Sequence, residues 1–502
     1  MSPSTLPIEI LEKIIDLLSD DRASLLNCAL VSHLLTTRSQ QWLFHQVRLD
    51  FPGQWDVPAI SARIAQFIDI LTPRLARYIK NLCIVDYVED YIDELDSDDE
   101  EQTPPRERFH DTYLALLLPK IDKLESFSLS CNGDTAINRL SLPLLSLLIT
   151  MLASAEVAEF NLFEIESFPI ALLAQYCPRI RRINFSFNHT YHNTVPHSGE
   201  LSLAHLPVPT EVGFLERVVL WEISTRFTDM LREATKLPGA CLSFARVEEI
   251  EVRARDKSTL LLAMDLFADS ADSASLKRLV CDFRQDDCFT NIFFGTSIYN
   301  LDFFRLPPSL HKLHVEIPYE NGPHFLGWLS SALQDGARGD GPRPLEELVL
   351  VIRKESFPDV LDATGLWDAL DTQCAAFDQA LSMPAYAASL RRVEIFVEVG
   401  PRCFYAPYEE QRERPAMEDA IPVSYLSRAV EGLHERLPRL RERGIVSVRW
   451  LVTEKRQSGL EVAVRALREG VEGPVHADEN GWFKVGREYT EAAVVLVHME
   501  FS

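Results

Sequence analysis

Ten times between Ile79 and Ile395 the chain repeats one local pattern: apolar, two residues, apolar, one residue, apolar. The copies read IKNLCI from Ile79, LESFSL from Leu124, VAEFNL from Val157, IRRINF from Ile180 and LERVVL from Leu215. They continue as VEEIEV from Val247, LKRLVC from Leu276, LHKLHV from Leu310, LEELVL from Leu345 and LRRVEI from Leu390. The second half of each copy alternates apolar and polar side chains, which predicts a short strand with one buried face. Helical segments lie between, among them DTYLALLL, IALLAQY and TLLLAMDLF. Pro178, Pro308 and Pro344 stand just ahead of the motif, where proline ends one helix and opens an extended segment. The copies start 23 to 45 residues apart. Helix and strand alternating in this way predict an α/β solenoid, whose units bury their apolar faces only against their neighbours. An ordinary α/β domain with an open parallel sheet satisfies the same pattern.

Charge narrows the function classes. The formal net charge of -25 repels phosphate backbones and anionic lipid, and no Lys/Arg block offsets it. Neither nucleic acid nor a membrane surface is an expected partner. The longest apolar stretch, Leu140 to Ala153, is interrupted by Ser141, Pro143, Ser146 and Thr150. It falls short of the ~20 residues a membrane span needs. The N-terminus has no basic segment followed by an apolar one, so a secretory signal is not expected. Nine dispersed cysteines without C-x-x-C spacing read as reduced, core-filling thiols of a cytoplasmic or nuclear protein.

Two regions break the pattern. Asp86 to Glu101 holds ten acidic residues and no basic one, and prolines follow, which predicts a disordered insert at about residues 93–106. After Gly400 the motif fades. Residues 424–443 read as helical with Pro438 kinking or dividing them, and GIVSVRWLV and AAVVLVHMEF read as strands. Residues 401–502 are therefore expected to cap the open end of the solenoid at 78–400.

Catalytic signatures are absent: the sequence has no G-x-S-x-G, H-E-x-x-H or phosphate-binding glycine loop. His189, His192, His197 and His205 crowd one apparent loop, but without cysteines or ordered spacing they read as surface histidines. His311 and His314 sit three apart on a predicted strand and so face opposite ways. No metal, cofactor or enzyme activity is expected.

The first fifty residues pose a packing problem. In LPIEILEKIIDLL the charged residues Glu9, Glu12, Lys13 and Asp16 gather on one side, and seven aliphatic residues cover an arc of about 180°. Ser19 or Asp20 is placed to cap a second helix carrying Leu25, Leu26 and Cys28, and a third is expected through Leu30, Val31 and Leu34. WLFHQVRL then extends the chain away. Three short helices have too little volume to enclose that apolar surface, so a partner is expected to cover part of it.

This stretch resembles the F-box, the module by which substrate receptors attach to the adaptor subunit of SCF-type cullin–RING ubiquitin ligases. Leu6-Pro7-x-Glu9-Ile10-Leu11 with Ile14 and Leu18 is similar to its opening helix, and Leu25, Cys28, Leu30, Val31 and Ser32 to its middle. Leu43-Phe44-x-x-Val47-x-Leu49 is similar to its close, while Leu35 replaces the family's usual tryptophan. The later motif resembles the core of leucine-rich repeats, with Asn132 and Asn188 at the family's asparagine position in two copies. RIAQFIDILTPRLARYIKNLCI resembles the junction between the two parts in fungal proteins of this type. The resemblance implies an F-box at 1–49, a helical linker at 50–77, a leucine-rich-repeat-like solenoid at 78–400 and a cap at 401–502. It implies a non-catalytic substrate receptor, docking to the adaptor through Leu6, Pro7, Ile10, Leu11, Ile14 and Val31 and binding a target protein through the repeats. A repeat scaffold that engages no ligase is the alternative reading.

Overall fold

The computed structural model describes residues 6–51, 57–87, 109–132, 142–154, 156–163, 168–186, 209–221, 225–237, 240–253, 275–282, 306–318, 322–338, 342–354, 373–399 and 431–455, besides residues 165, 206, 462–467, 476–477 and 483–484. It is a mixed α/β protein with a helical N-terminus and extensive parallel sheet. The chain divides into two compact units, Met1–Val247 with Ser258–Ser270, and Glu248–Lys257 with Ala271–Ser502.

In the first unit six strands run parallel and in strict sequence order: β1 (Gln46–Phe51), β2 (Asn81–Tyr87), β3 (Ser126–Asn132), β4 (Glu159–Phe163), β5 (Arg182–Ser186) and Arg217–Trp221. In the second, Glu249–Arg253, Arg278–Asp282, Lys312–Pro318, Glu347–Lys354, Arg392–Val399 and Val446–Lys455 follow the same rule. Val462–Leu467 then pairs antiparallel with the last of them.

All ten motif copies form strands, and all thirty of their apolar positions are no more than 3% exposed. Register explains why. Leu82, Phe127, Phe160, Ile183 and Val218 lie side by side across the first sheet, as do Ile84, Leu129, Leu162, Phe185 and Leu220. A slip of one residue would turn every one of these side chains to the other face. In eight of the ten copies the second residue of the motif supplies a further lock, because its carbonyl accepts two N–H groups from the next copy. Lys80 O accepts from Glu125 N and Ser126 N at 2.7 and 3.0 Å, and Glu125 O from Ala158 N and Glu159 N at 2.8 and 3.1 Å. In the second unit Lys277 O accepts from His311 N and Lys312 N, both at 2.9 Å.

Helices pack on the apolar face. Leu142–Ser154 contributes Leu144, Leu145, Leu148, Ile149, Met151 and Leu152, so the longest apolar run is, from Leu142 on, a core helix. Phe160 is the centre of an aromatic spine: Phe127 stacks on it at 6.2 Å, Phe168 lies at 5.5 Å, and Phe185 meets it edge-on at 6.1 Å. Cys177, Cys241 and Cys281 fill core positions, and burial pushes their thiols up, to about 11 for Cys241 and about 12 for Cys281. Gly213 is required by close approach, since a Cβ there would overlap the Pro178 carbonyl.

The structure corrects several boundaries. The sheet begins before the first expected motif, with Gln46–Phe51 pairing in register with Asn81–Asp86. Phe44-x-x-Val47-x-Leu49 is thus an eleventh copy: Val47 and Leu49 lie beside Leu82 and Ile84, and His45 O accepts from Lys80 N and Asn81 N at 2.9 Å each. Trp42 and Leu43, expected to be extended, still belong to a helix. Ladder pairing also persists past Gly400, with Val446 and Val448 beside Val393 and Ile395. The motif is hidden there because Arg443 occupies its first apolar position. That guanidinium instead donates to the carbonyls of Leu381, Ala387 and Leu390. Pro438 opens a separate short helix, Pro438–Glu442, capped by the buried Asp378 carboxylate through Arg439 N and Leu440 N at 3.1 and 3.0 Å. The acidic insert at 93–106, TLLLAMDLF, AAVVLVHMEF and Asn188 lie outside the described residues.

Phe160 sits where register and aromatic packing meet. Phe160→Ala is expected to destabilise the first unit by about 3–5 kcal/mol, measured by denaturant unfolding. A loss below about 1 kcal/mol would contradict the spine.

Candidate docking surface

The helical N-terminus comprises α1 (Ile8–Asp16), α2 (Arg22–Val31) and α3 (His33–Leu43). Pro7 precedes α1 with extended backbone, and its carbonyl accepts from Ile10 N and Leu11 N. The second helix is capped by Asp21, one residue beyond the expected Ser19 or Asp20, whose carboxylate accepts from Ser24 N at 3.0 Å and Ser24 Oγ at 2.6 Å. The helix expected to run through Leu30, Val31 and Leu34 is broken at Ser32. That residue is extended, ends α2 and caps α3 through Leu34 N. Thr36 Oγ1 donates to Ala29 O and Ser32 O, closing the corner.

One carboxylate joins the first helix to the third. Asp16 Oδ1 accepts from Arg38 Nε at 2.6 Å and Trp42 Nε1 at 2.8 Å, and Asp16 Oδ2 accepts from Arg38 Nη2 at 2.8 Å. Arg38 Nη1 goes to Gln41 Oε1 at 2.9 Å, and the guanidinium lies 5.8 Å from the centre of the Trp42 ring. The arrangement is half-exposed, with 34% of the Asp16 side chain accessible. The Arg38 hydrogen bond, then that of Trp42, holds the Asp16 carboxyl below the usual carboxylate value. Beyond α3, Arg74 Nη2 donates to Thr37 Oγ1 at 2.8 Å and ties the module to the helical link.

Burial separates internal from external aliphatic residues. Ile15 and Leu25 are buried, and Leu11, Leu18, Cys28 and Leu35 are half-buried. Leu6, Ile8, Ile10 and Ile14 are exposed, as are Leu26 and Leu34. Leu17, Leu30 and Val31 are 86%, 85% and 81% exposed. Of the residues expected to dock, Leu6, Pro7, Ile10, Ile14 and Val31 are open to solvent, whereas Leu11 is shared with the interior. Leu17, Leu26, Leu30 and Leu34 were not among them. The spacing of four from Leu26 to Leu30, on the side of α2 away from Leu25, was the sequence signal for two of these. Single exposed aliphatic residues need no explanation, but contiguous ones mark interaction surfaces.

The sheet face away from the helices carries other chemistry. Asn161 Nδ2 donates to Ser128 Oγ at 3.0 Å and Ser186 Oγ to Asn184 Oδ1 at 3.0 Å. In the second unit Arg253 and Asp282 form a buried ion pair at 2.8 Å, and Arg392 and Arg449 hold the buried Glu394. His314 meets Glu316 at 3.1 Å while His311 turns to Ser309 O, so the two histidines are apart. Among the described residues no three His, Cys, Asp or Glu side chains are grouped to hold a metal, and the His189–His205 loop lies outside them. Among them, too, no helix is long and apolar enough to cross a membrane. No family model matches the chain, and no curated protein matches it in sequence.

The depressed Asp16 carboxyl fixes the sign of a pH effect. Its contribution to stability is complete above the ordinary carboxylate value of about 4 and is lost as pH falls through its lowered one. The difference in thermal stability between the chain and its Asp16→Asn variant should hold constant from about pH 7 to about pH 5 and close below about pH 4. A difference that closes near neutrality would contradict the pairing.

Proposed function

We propose that the chain is the substrate receptor of an SCF-type cullin–RING ubiquitin ligase, with an F-box in α1–α3 and a leucine-rich-repeat-like solenoid behind it. The observation that carries this reading is the set of exposed aliphatic side chains Ile10, Ile14, Leu17, Leu30, Val31 and Leu34 on three short helices whose buried aliphatic residues are Ile15 and Leu25. Covering each such side chain contributes about 1.5–3 kcal/mol, set against an association cost of about 4–15 kcal/mol. Half a dozen together are of the same order as that cost. Strict sequence order of the parallel strands favours a solenoid over a doubly wound sheet, in which strand order reverses at a switch point.

In this reading the chain is non-catalytic and resides in the cytoplasm or nucleus. The adaptor grips the helical module, the ladder holds a target protein, and the assembled ligase supplies proximity between target lysines and activated ubiquitin. The resemblance of the first fifty residues names the partner; the exposed surface supports a partner of some kind.

The test uses the intact chain, because residues 1–60 alone would expose Val47 and Leu49 by removing β2. Purified adaptor subunit should bind it with micromolar or better affinity. Ile10→Asp with Val31→Asp should weaken binding at least a hundredfold, while the unfolding midpoint stays within a few degrees. No detectable binding by the intact, folded chain would overturn the ligase reading and leave the scaffold.

A further inference from the structure

We propose that Asp16 is the positioning residue of the docking surface: gripped by Arg38 and Trp42, it fixes α1 on α3, so that the aliphatic side chains of α1 and of the α2–α3 corner stand as one face before a partner arrives. This rests on the reading of that face as a docking site. An isolated nine-residue helix is marginal in water, and α1 has a single buried residue, Ile15. Something else must hold it.

Asp16 stands at the last position of α1, where the helix dipole disfavours a negative charge. Local preference therefore does not account for an acid there, and its partners do. Arg38 and Trp42 are four residues apart on one face of α3 and converge on the same carboxylate. Oδ1 takes two hydrogen bonds and Oδ2 one, so the carboxylate is fixed in rotation as well as position. Ile14 lies two residues before it and Leu17 one after, both exposed. Leu34, four residues before Arg38 on α3, is exposed as well. A surface assembled in advance binds more tightly because the partner need not order it.

The experiment compares the full chain with Asp16→Ala, Asp16→Glu, Arg38→Ala and the Asp16→Ala/Arg38→Ala double variant. Binding and dissociation rates of the purified adaptor subunit are read beside amide hydrogen exchange without adaptor. Asp16→Ala and Arg38→Ala should each weaken binding roughly tenfold, and the double variant should be no weaker than either. Asp16→Glu should recover part of the loss. Exchange should quicken in residues 8–17 and stay unchanged in β2 to β5. Wild-type affinity in Asp16→Ala, with binding still weakened at least a hundredfold by Ile10→Asp with Val31→Asp, would overturn the positioning role and leave the docking reading intact. Exchange that quickens equally throughout β2 to β5 would also overturn it, since Asp16 would then serve overall stability. If the unaltered chain fails to bind adaptor, the docking reading falls. The exchange arm then decides alone whether Asp16 holds α1.

Discussion

Within each unit, one carbonyl that accepts two N–H groups ties strand after strand to the next. That bond sits where the chain leaves a helix or loop and enters the sheet, and it recurs from His45 to Arg181 in the first unit and from Glu248 to Glu346 in the second. With the entry point fixed, the apolar residues that follow fall into register, and strand alternation sends them all to the helix-covered face. The hydrogen bonds choose the register and the buried rows hold it. Intervening segments can vary in length from copy to copy without disturbing either, as loop closure costs rise only slowly with length.

The same device reaches into the helical N-terminus. Phe44 to Leu49 close the third helix and at once form the first rung, with His45 O holding β2. The helices are therefore carried by the end of the sheet in the first unit, and Arg74 to Thr37 adds a second tie. Their interior is small. What their packing leaves outside is an aliphatic surface at Ile10, Ile14, Leu17, Leu30, Val31 and Leu34, and that surplus gives the proposed docking function its physical basis.

Ten of the strands were legible because apolar-x-x-apolar-x-apolar is a direct image of strand alternation with its entry residue. The first escaped because its letters also close the helical module, and one reading of WLFHQVRL concealed the other. GIVSVRWLV read as a strand, yet its place in the ladder was hidden because Arg443 meets three carbonyls where other copies bury an aliphatic residue. Helix ends went astray by a residue or two, since Asp20 and Asp21 are equally good caps on paper. At the candidate docking surface composition marked α1 but could not sort Leu11 from Leu17: both are leucine, and only tertiary packing exposes one. The Asp16, Arg38 and Trp42 cluster spans 22 and 26 residues of sequence and has no local periodicity to betray it.

The most direct measurement is a hydrogen-exchange footprint of the intact chain with and without purified adaptor subunit. Slowed exchange is expected in residues 8–18 and 26–36, with none across β3 to β5. Slowed exchange on the sheet with the helices unchanged, or no change anywhere at saturating adaptor, would contradict it.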